Sequence, residues 1–159
     1  MKKLLFYFLL IATLSSCAKE EYRYGLKSTD ILQPSANKDK LKTPEQFVAV
    51  LYVNLFQKAI STKELVELER LIRSVGDKRL VYELIISSFL NDPEVIIPYN
   101  SEMRADLDGF LRETYERFYV RKPLEIELEY FKNYLENNTN VTPEMVYFSF
   151  AISDEFFFY

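Results

Sequence analysis

Few side chains in these 159 residues are equipped for chemistry. There is no His and no Trp, a single Cys (Cys17), and three Gly. Without His there is no Ser-His-Asp triad, no imidazole base and no ordinary zinc site. Gly25, Gly76 and Gly109 lie far apart, so neither a Walker loop nor a dinucleotide fingerprint can be assembled. A formal charge of −4 argues against binding nucleic acid through its phosphates. Carboxylates remain. Glu125, Glu127 and Glu129 alternate with other residues, which on a helix turns neighbours to nearly opposite sides, so they read as a solvated face. A pair formed between two helices is the remaining route to glycosidase-type acid–base work. Asp106-Leu107-Asp108-Gly109 has the start of a calcium loop but lacks the third acidic position and the closing Glu. A helix N-cap at Asp108 accounts for it more simply. No catalytic, cofactor-binding or metal site is expected from this set.

Cys17 has a distinctive setting. Lys2 and Lys3 precede an apolar run, Leu4 to Leu14, of signal-peptide length. It falls short of the roughly 20 residues that a membrane-spanning helix needs. Leu14-Ser15-Ser16-Cys17 follows. These residues resemble the bacterial lipoprotein signal, the lipobox read by signal peptidase II: a Leu, two small residues and a Cys. The resemblance implies a diacylglyceryl group on the Cys17 sulfur, cleavage before Cys17, and acylation of the new N-terminus. Two or three chains give a stable anchor where one is marginal. An exported chain with no second Cys has no internal disulfide, so its fold must rest on an apolar core.

Ala18 is not the Asp that retains many lipoproteins at the inner membrane, which favours the outer membrane. Lys19-Glu20-Glu21 resembles the surface-export signal of Bacteroidota lipoproteins and implies display at the cell surface. Residues 1–16 are thus read as the signal peptide and 17–42 as a lipidated tether, where polar residues and Pro34 sustain no apolar period. Residues 43–159 form the folded part.

Helical signals run through that part. Thr43-Pro44-Glu45-Gln46 sets a cap, a first-turn Pro and a capping-box Gln in order, ahead of Phe47, Val50, Leu51 and Leu55. Ser61 to Glu64 is a second capping box, before Leu65, Leu68, Leu71, Ile72 and Val75; Gly76-Asp77 stops it. A third stripe is Leu80, Leu84, Ile85 and Phe89. Leu107, Phe110, Leu111, Tyr115 and Phe118 share a face, Pro123 opens a helix with Leu124, Leu128, Phe131 and Leu135, and Thr142-Pro143 restarts with Met145, Phe148 and Ile152 in register. No segment alternates at period two. The expected fold is all-α, about six helices in two tandem three-helix units (copies about 43–91 and 101–157).

The halves align by sequence. A shift of 63 sets Phe47 on Phe110, Tyr52 on Tyr115, Glu64-Leu65 on Glu127-Leu128 and Ile72 on Leu135. After two further residues in the second turn, Val81-Tyr82 falls on Val146-Tyr147 and Ser88 on Ser153. Units that cannot bury their apolar faces alone gain a shared core by duplication. The second copy contains Phe110, Tyr115, Arg121-x-Pro123, Glu127-Leu128, Phe131, then Ser153-Asp154-Glu155-Phe156. It resembles the helical repeat of unknown function found in many bacterial extracellular proteins, itself similar to the phycobilisome linker domain. That family has Gly before the Arg, where Val120 stands, and the first copy has Lys58-Ala59-Ile60 in place of Arg and Pro. The resemblance implies an all-α, non-catalytic module for assembly or adhesion. From the positions alone, Phe110, Tyr115, Leu128, Phe131 and Phe156 are expected in the core, with Glu127 or Glu155 pairing with Arg112, Arg117 or Arg121.

The chain closes on Phe156-Phe157-Phe158-Tyr159. Successive aromatics cannot all face one side of a helix. Phe157, Phe158 and Tyr159 are therefore candidates for a partner contact, or for a fold-back anchor. Two functions stand open. One is a non-enzymatic outer-membrane lipoprotein that binds a protein or glycan partner in an envelope assembly, with no cofactor beyond the lipid on Cys17. The alternative is a small carboxylate-dependent hydrolase or glycan-processing enzyme.

Overall fold

The computed structural model describes residues 38–158. Among them it is all-helical: α1 (Pro44–Phe56), α2 (Thr62–Ser74), α3 (Lys78–Leu90), α4 (Asn100–Ala105), α5 (Leu107–Tyr119), α6 (Glu125–Asn137), α7 (Pro143–Ala151) and α8 (Asp154–Phe157). The six longer helices are those expected. The short α4 and α8 are additions that sequence periodicity could not register, because each spans fewer than two turns.

Local chemistry sets the helix starts. Thr43 Oγ1 accepts from Gln46 N and Gln46 Oε1 accepts from Thr43 N, a complete capping box. Ser61 caps α2 by accepting from Glu64 N, and Asp77 caps α3 by accepting from Leu80 N. The ends of α2 and α6 are closed by cations. Lys78 Nζ donates to the carbonyls of Ile72 (2.6 Å) and Val75 (2.7 Å). Arg104 donates to the carbonyls of Leu135, Asn138 and Val141. Each cation meets carbonyls that the helix itself leaves unpaired, at the negative end of its dipole.

α1 packs on α2 and α3, and α5 packs on α6 and α7; the two sets meet through α1 against α5 and α3 against α7. The core they share includes Phe47, Leu51, Leu55, Ile86, Leu111, Leu128, Leu135, Phe150 and Phe156, all essentially inaccessible to water. Phe156 bridges the sets by meeting Phe47 of α1 and Phe118 of α5 edge-on.

Several expectations need correction. Leu71 of α2 and Leu124, which precedes α6, are each 45% exposed, while Ile72, Leu128 and Leu135 of the same stripes are buried. Leu80 and Leu84 stand outside, and α3 buries Val81, Ile85, Ile86 and Phe89 instead. Met145 is likewise 55% exposed, while Val146, Tyr147 and Phe150 turn inward. α3 and α7 carry apolar side chains nearly all round, so periodicity did not single out the buried face. The tether boundary also moves. Lys42 N donates to the Phe157 carbonyl (2.8 Å) and Leu41 pairs with Phe158, so the folded body begins by Lys38.

α1 and α5 begin and end at positions 63 residues apart, and so do α2 and α6. Gln57 and Val120, at that same separation, are the non-glycine residues with positive φ among the described residues, at 52° and 55°. Each ends its helix in the left-handed conformation. A β-branched residue tolerates that region poorly. Val120→Gly should therefore raise stability by about 0.5–1 kcal/mol, since the strain relieved exceeds the extra entropy of Gly and the lost side chain was exposed. Urea unfolding reads this; a destabilised variant would show that the Val120 side chain has a packing role.

Candidate functional site

The densest polar cluster forms where α5 ends. The left-handed turn at Val120 swings Arg121 back over its own helix, with the guanidinium 4.9 Å from the Tyr115 ring centre. Arg121 is 7% exposed and is held on two sides. Nη1 and Nη2 donate to the Glu127 carboxylate at 2.8 and 2.7 Å. Nε and Nη2 donate to Glu155 at 2.6 and 2.8 Å. Glu127 also accepts from Leu124 N (2.7 Å), capping α6, and Lys38 Nζ lies 3.1 Å from Glu155. Of the three arginines that the sequence left open, Arg121 takes both glutamates. Arg112 pairs with Asp108 and Glu125, and Arg117 covers the Tyr147 ring.

The electrostatics follow from this geometry. The hydrogen bonds from Arg121 hold Glu127 below the usual carboxylate range, against the opposing effect of burial. Burial is the largest influence on Glu155 and pushes upward, but Arg121 and Lys38 together outweigh it and leave Glu155 lowered. Burial pushes the neighbouring Tyr119 phenol up to about 12, and its hydroxyl lies 2.8 Å from Ser153 Oγ as donor. Glu127 and Glu155 are thus an interhelical carboxylate pair, yet both are kept ionised. A general acid needs a carboxyl kept protonated near neutral pH, and neither of these answers that need.

The other sequence candidates take structural roles. Asp106 caps α5, accepting from Gly109 N at 2.9 Å, so the cap is Asp106 and not Asp108. The Asp106 carboxylate lies over Gly109 so closely that an added Cβ would fall 2.3 Å from its oxygen. Asp108 turns to Arg112 and Lys132. Among the described residues no three His, Cys, Asp or Glu side chains gather as a metal would require. Glu125 and Glu129 point into solvent, away from Glu127.

The terminal aromatics fold back. Phe156 is fully buried, and Phe157 stacks on Phe47 (4.8 Å) and meets Tyr82 edge-on (5.1 Å). Lys42, itself buried, donates Nζ to the carbonyls of Phe156 and Phe158. Burial, and after it the charge of Lys38, brings the Lys42 ammonium down to about 8. Tyr159, the lipobox residues Leu14, Ser15 and Ser16, the attachment residue Cys17, and Lys19, Glu20 and Glu21 lie outside the described residues.

One surface was not anticipated. Ile126, Tyr130 and Tyr134 recur at every fourth position of α6, on the side away from Leu128 and Leu135, and are 77%, 66% and 47% exposed. Met145 stands beside Tyr134 between two shallow clefts. One, of about 160 Å³, lies between α6 and α7 and includes Phe131, Tyr134 and Val141. The other, of about 300 Å³, lies between α3 and α7 and includes Leu90, Asn91 and Phe148. The signal was present as an apolar spacing opposite the core stripe, but Met145 had been assigned to the core.

Residues 1–18 match the family model of the prokaryotic membrane lipoprotein lipid attachment site. The chain is accordingly a membrane-anchored lipoprotein, held through lipid. No curated protein and no solved structure matches it. Among the described residues no helix is long and apolar enough to cross a membrane.

The Arg121 cluster has measurable consequences. Arg121→Met leaves two glutamates facing each other with 27% and 29% of their side chains exposed. It should cost about 3 kcal/mol in urea unfolding, the lower end of what breaking a buried pair costs. Because both carboxyls have lowered values when folded, the unfolded chain binds more protons just below the ordinary glutamate value of about 4.3. Stability is complete above that value and declines as pH falls through it. The variant should decline less steeply; identical acid limbs would mean the cluster contributes nothing.

Proposed function

We propose that this protein is a non-enzymatic binding or scaffold module, held at the outer membrane by the lipid on Cys17 and engaged in a cell-envelope assembly. One observation carries the reading. The polar side chains suited to chemistry are consumed within the fold, at Arg121, Asp106 and Lys42, while apolar and aromatic side chains are left in water along α6 and α7. Exposed Tyr, Met and aliphatic groups beside shallow clefts are the composition of a binding surface.

The comparison of the two halves supports this. At a separation of 63, Lys63 and Glu67 stand where Ile126 and Tyr130 stand. The matching helix bounds and matching buried positions, Ile72 with Leu135 and Val81 with Val146, favour a duplication whose core was kept while one outer face was changed. The partner is a protein or a glycan. Tyr130 and Tyr134 offer flat faces to either, and nucleic acid is disfavoured by the negative charge.

Photo-crosslinking in cells tests the surface. A photoreactive amino acid at Met145 or Tyr134 should give a discrete adduct that the same group at Glu67 does not give. Adducts of equal yield at all three positions, or none, would remove the surface from consideration. The address is tested separately. Cys17→Ala should abolish lipid labelling and release the protein from membranes. Replacing Lys19, Glu20 and Glu21 together with Ala should remove protease accessibility on intact cells while membrane attachment persists; unchanged accessibility would refute the surface-export reading.

A further inference from the structure

The chain reaches the fold from its anchor at one particular end. Lys38, the first described residue, is fixed by Glu155 (3.1 Å) and by the Tyr119 carbonyl (2.7 Å). Around that point lie the residue that follows Tyr119, the turn into α6, and the strand-like stretch beside Phe158. Each leaves an apolar side chain in water: Val120 is 60% exposed, Leu124 45%, Ile126 77% and Leu41 60%. Four such groups at the end that carries the anchor are not explained by the core, which is closed beneath them by Phe156 and the Arg121 cluster.

Charge is distributed to match. At this end the five cations Lys38, Lys40, Lys42, Arg121 and Lys122 stand against the five carboxylates Asp39, Glu125, Glu127, Asp154 and Glu155. The rest of the described chain carries the acidic excess, in a protein whose formal charge is −4. An anionic headgroup layer repels an acidic surface and tolerates a neutral one, on which Lys40 and Lys122 are exposed. With this end downward, four apolar side chains can leave water while the acidic excess stays away from the lipid.

We infer that this end of the fold rests on the lipid surface, with Leu41, Val120, Leu124 and Ile126 entering the headgroup region. The inference rests on the lipid anchor at Cys17. Only the twenty residues 18–37 separate the anchor from Lys38, which cannot lie farther than about 70 Å from it. Attachment at that range makes docking intramolecular, with an effective concentration of order mM. A contact too weak to recruit a free protein is then sufficient to orient a tethered one. The clefts beside Met145 lie toward the opposite end of α6, whose thirteen residues span about 20 Å. Docking therefore points the proposed partner surface away from the lipid.

The test uses the full-length lipidated protein. One new cysteine is introduced at a time, Ile126→Cys or Thr139→Cys, the second lying in the turn at the far end of α6. Each is labelled with an environment-sensitive fluorophore and reconstituted into phosphatidylethanolamine–phosphatidylglycerol vesicles containing a lipid with a nitroxide near its headgroup. Quenching at position 126 should exceed that at 139 by at least about twofold, as insertion at the headgroup boundary requires. In a third protein carrying Val120→Cys as the labelled site, Leu41→Ser with Ile126→Ser should reduce quenching toward the level at 139. Equal quenching at 126 and 139 overturns the inference. So does shielding of the label at 126 that rises with protein density and ignores the nitroxide lipid, since a second copy would then be the occupant. Failure of the anchor itself is seen independently, because the protein would not float with the vesicles at all.

Discussion

The two-sided grip of Arg121 joins parts of the chain that would otherwise have little reason to stay together. Its guanidinium binds the first turn of α6 through Glu127 and the first turn of α8 through Glu155, while its flat face lies on Tyr115. The residue reaches this place only because Val120 adopts φ 55°. A planar, permanently charged fork with several donors can satisfy two carboxylates at once, which an ammonium group cannot do in the same geometry. The corresponding position of the first half is Lys58, which stays in solvent and pairs with Glu94. The first half is closed in another way, by stacking of Tyr52 on Phe56 with Phe89 against both edges. Two units with the same helix lengths thus use ionic closure in one case and aromatic closure in the other.

Much of the architecture was legible because caps and stops are local. Thr43 with Gln46, Ser61 with Glu64, and Thr142 before Pro143 mark helix starts by rules involving three or four neighbouring residues, and the helices begin there. The buried faces of α1 and α5 were legible too, since Leu51 and Leu111 sit in clear apolar stripes. The faces of α3 and α7 were not. With apolar groups on several sides, Leu84 and Met145 were as good candidates for burial as Ile85 and Val146, and tertiary packing made the choice. The Arg121 cluster was visible only as a set of possible partners, because a contact spanning 34 residues depends on how the helices pack. Val120 illustrates the converse. Its departure from the Gly of the resembling repeat is no break in the turn, for the backbone takes the left-handed conformation that Gly would take there.

The organisation of the two halves has a geometric side. α1 meets α5 and α3 meets α7, so each helix in the contact faces its own counterpart. That is the pattern of a self-complementary interface, the kind formed by two identical subunits about a two-fold axis. Here it lies within one chain. Aromatic side chains fill it, with Phe47 and Phe118 both against Phe156. Fusion of the halves frees each from having to serve both sides of the contact, so the outer face of α6 could acquire Ile126 and Tyr130 where α2 has Lys63 and Glu67.

The clasp between residues 38–42 and 156–158 also bears on when the protein can fold. Lys42 is buried with its ammonium on the carbonyls of Phe156 and Phe158, and Phe156 itself fills the centre of the core. Until residues 154–158 have been delivered, Lys42 has lost two acceptors, Arg121 lacks Glu155, and Phe47 and Phe118 face an empty space. Every shorter nascent chain is therefore poorly closed. A core that waits for residues near position 156 closes late, after nearly all of the helices have been made.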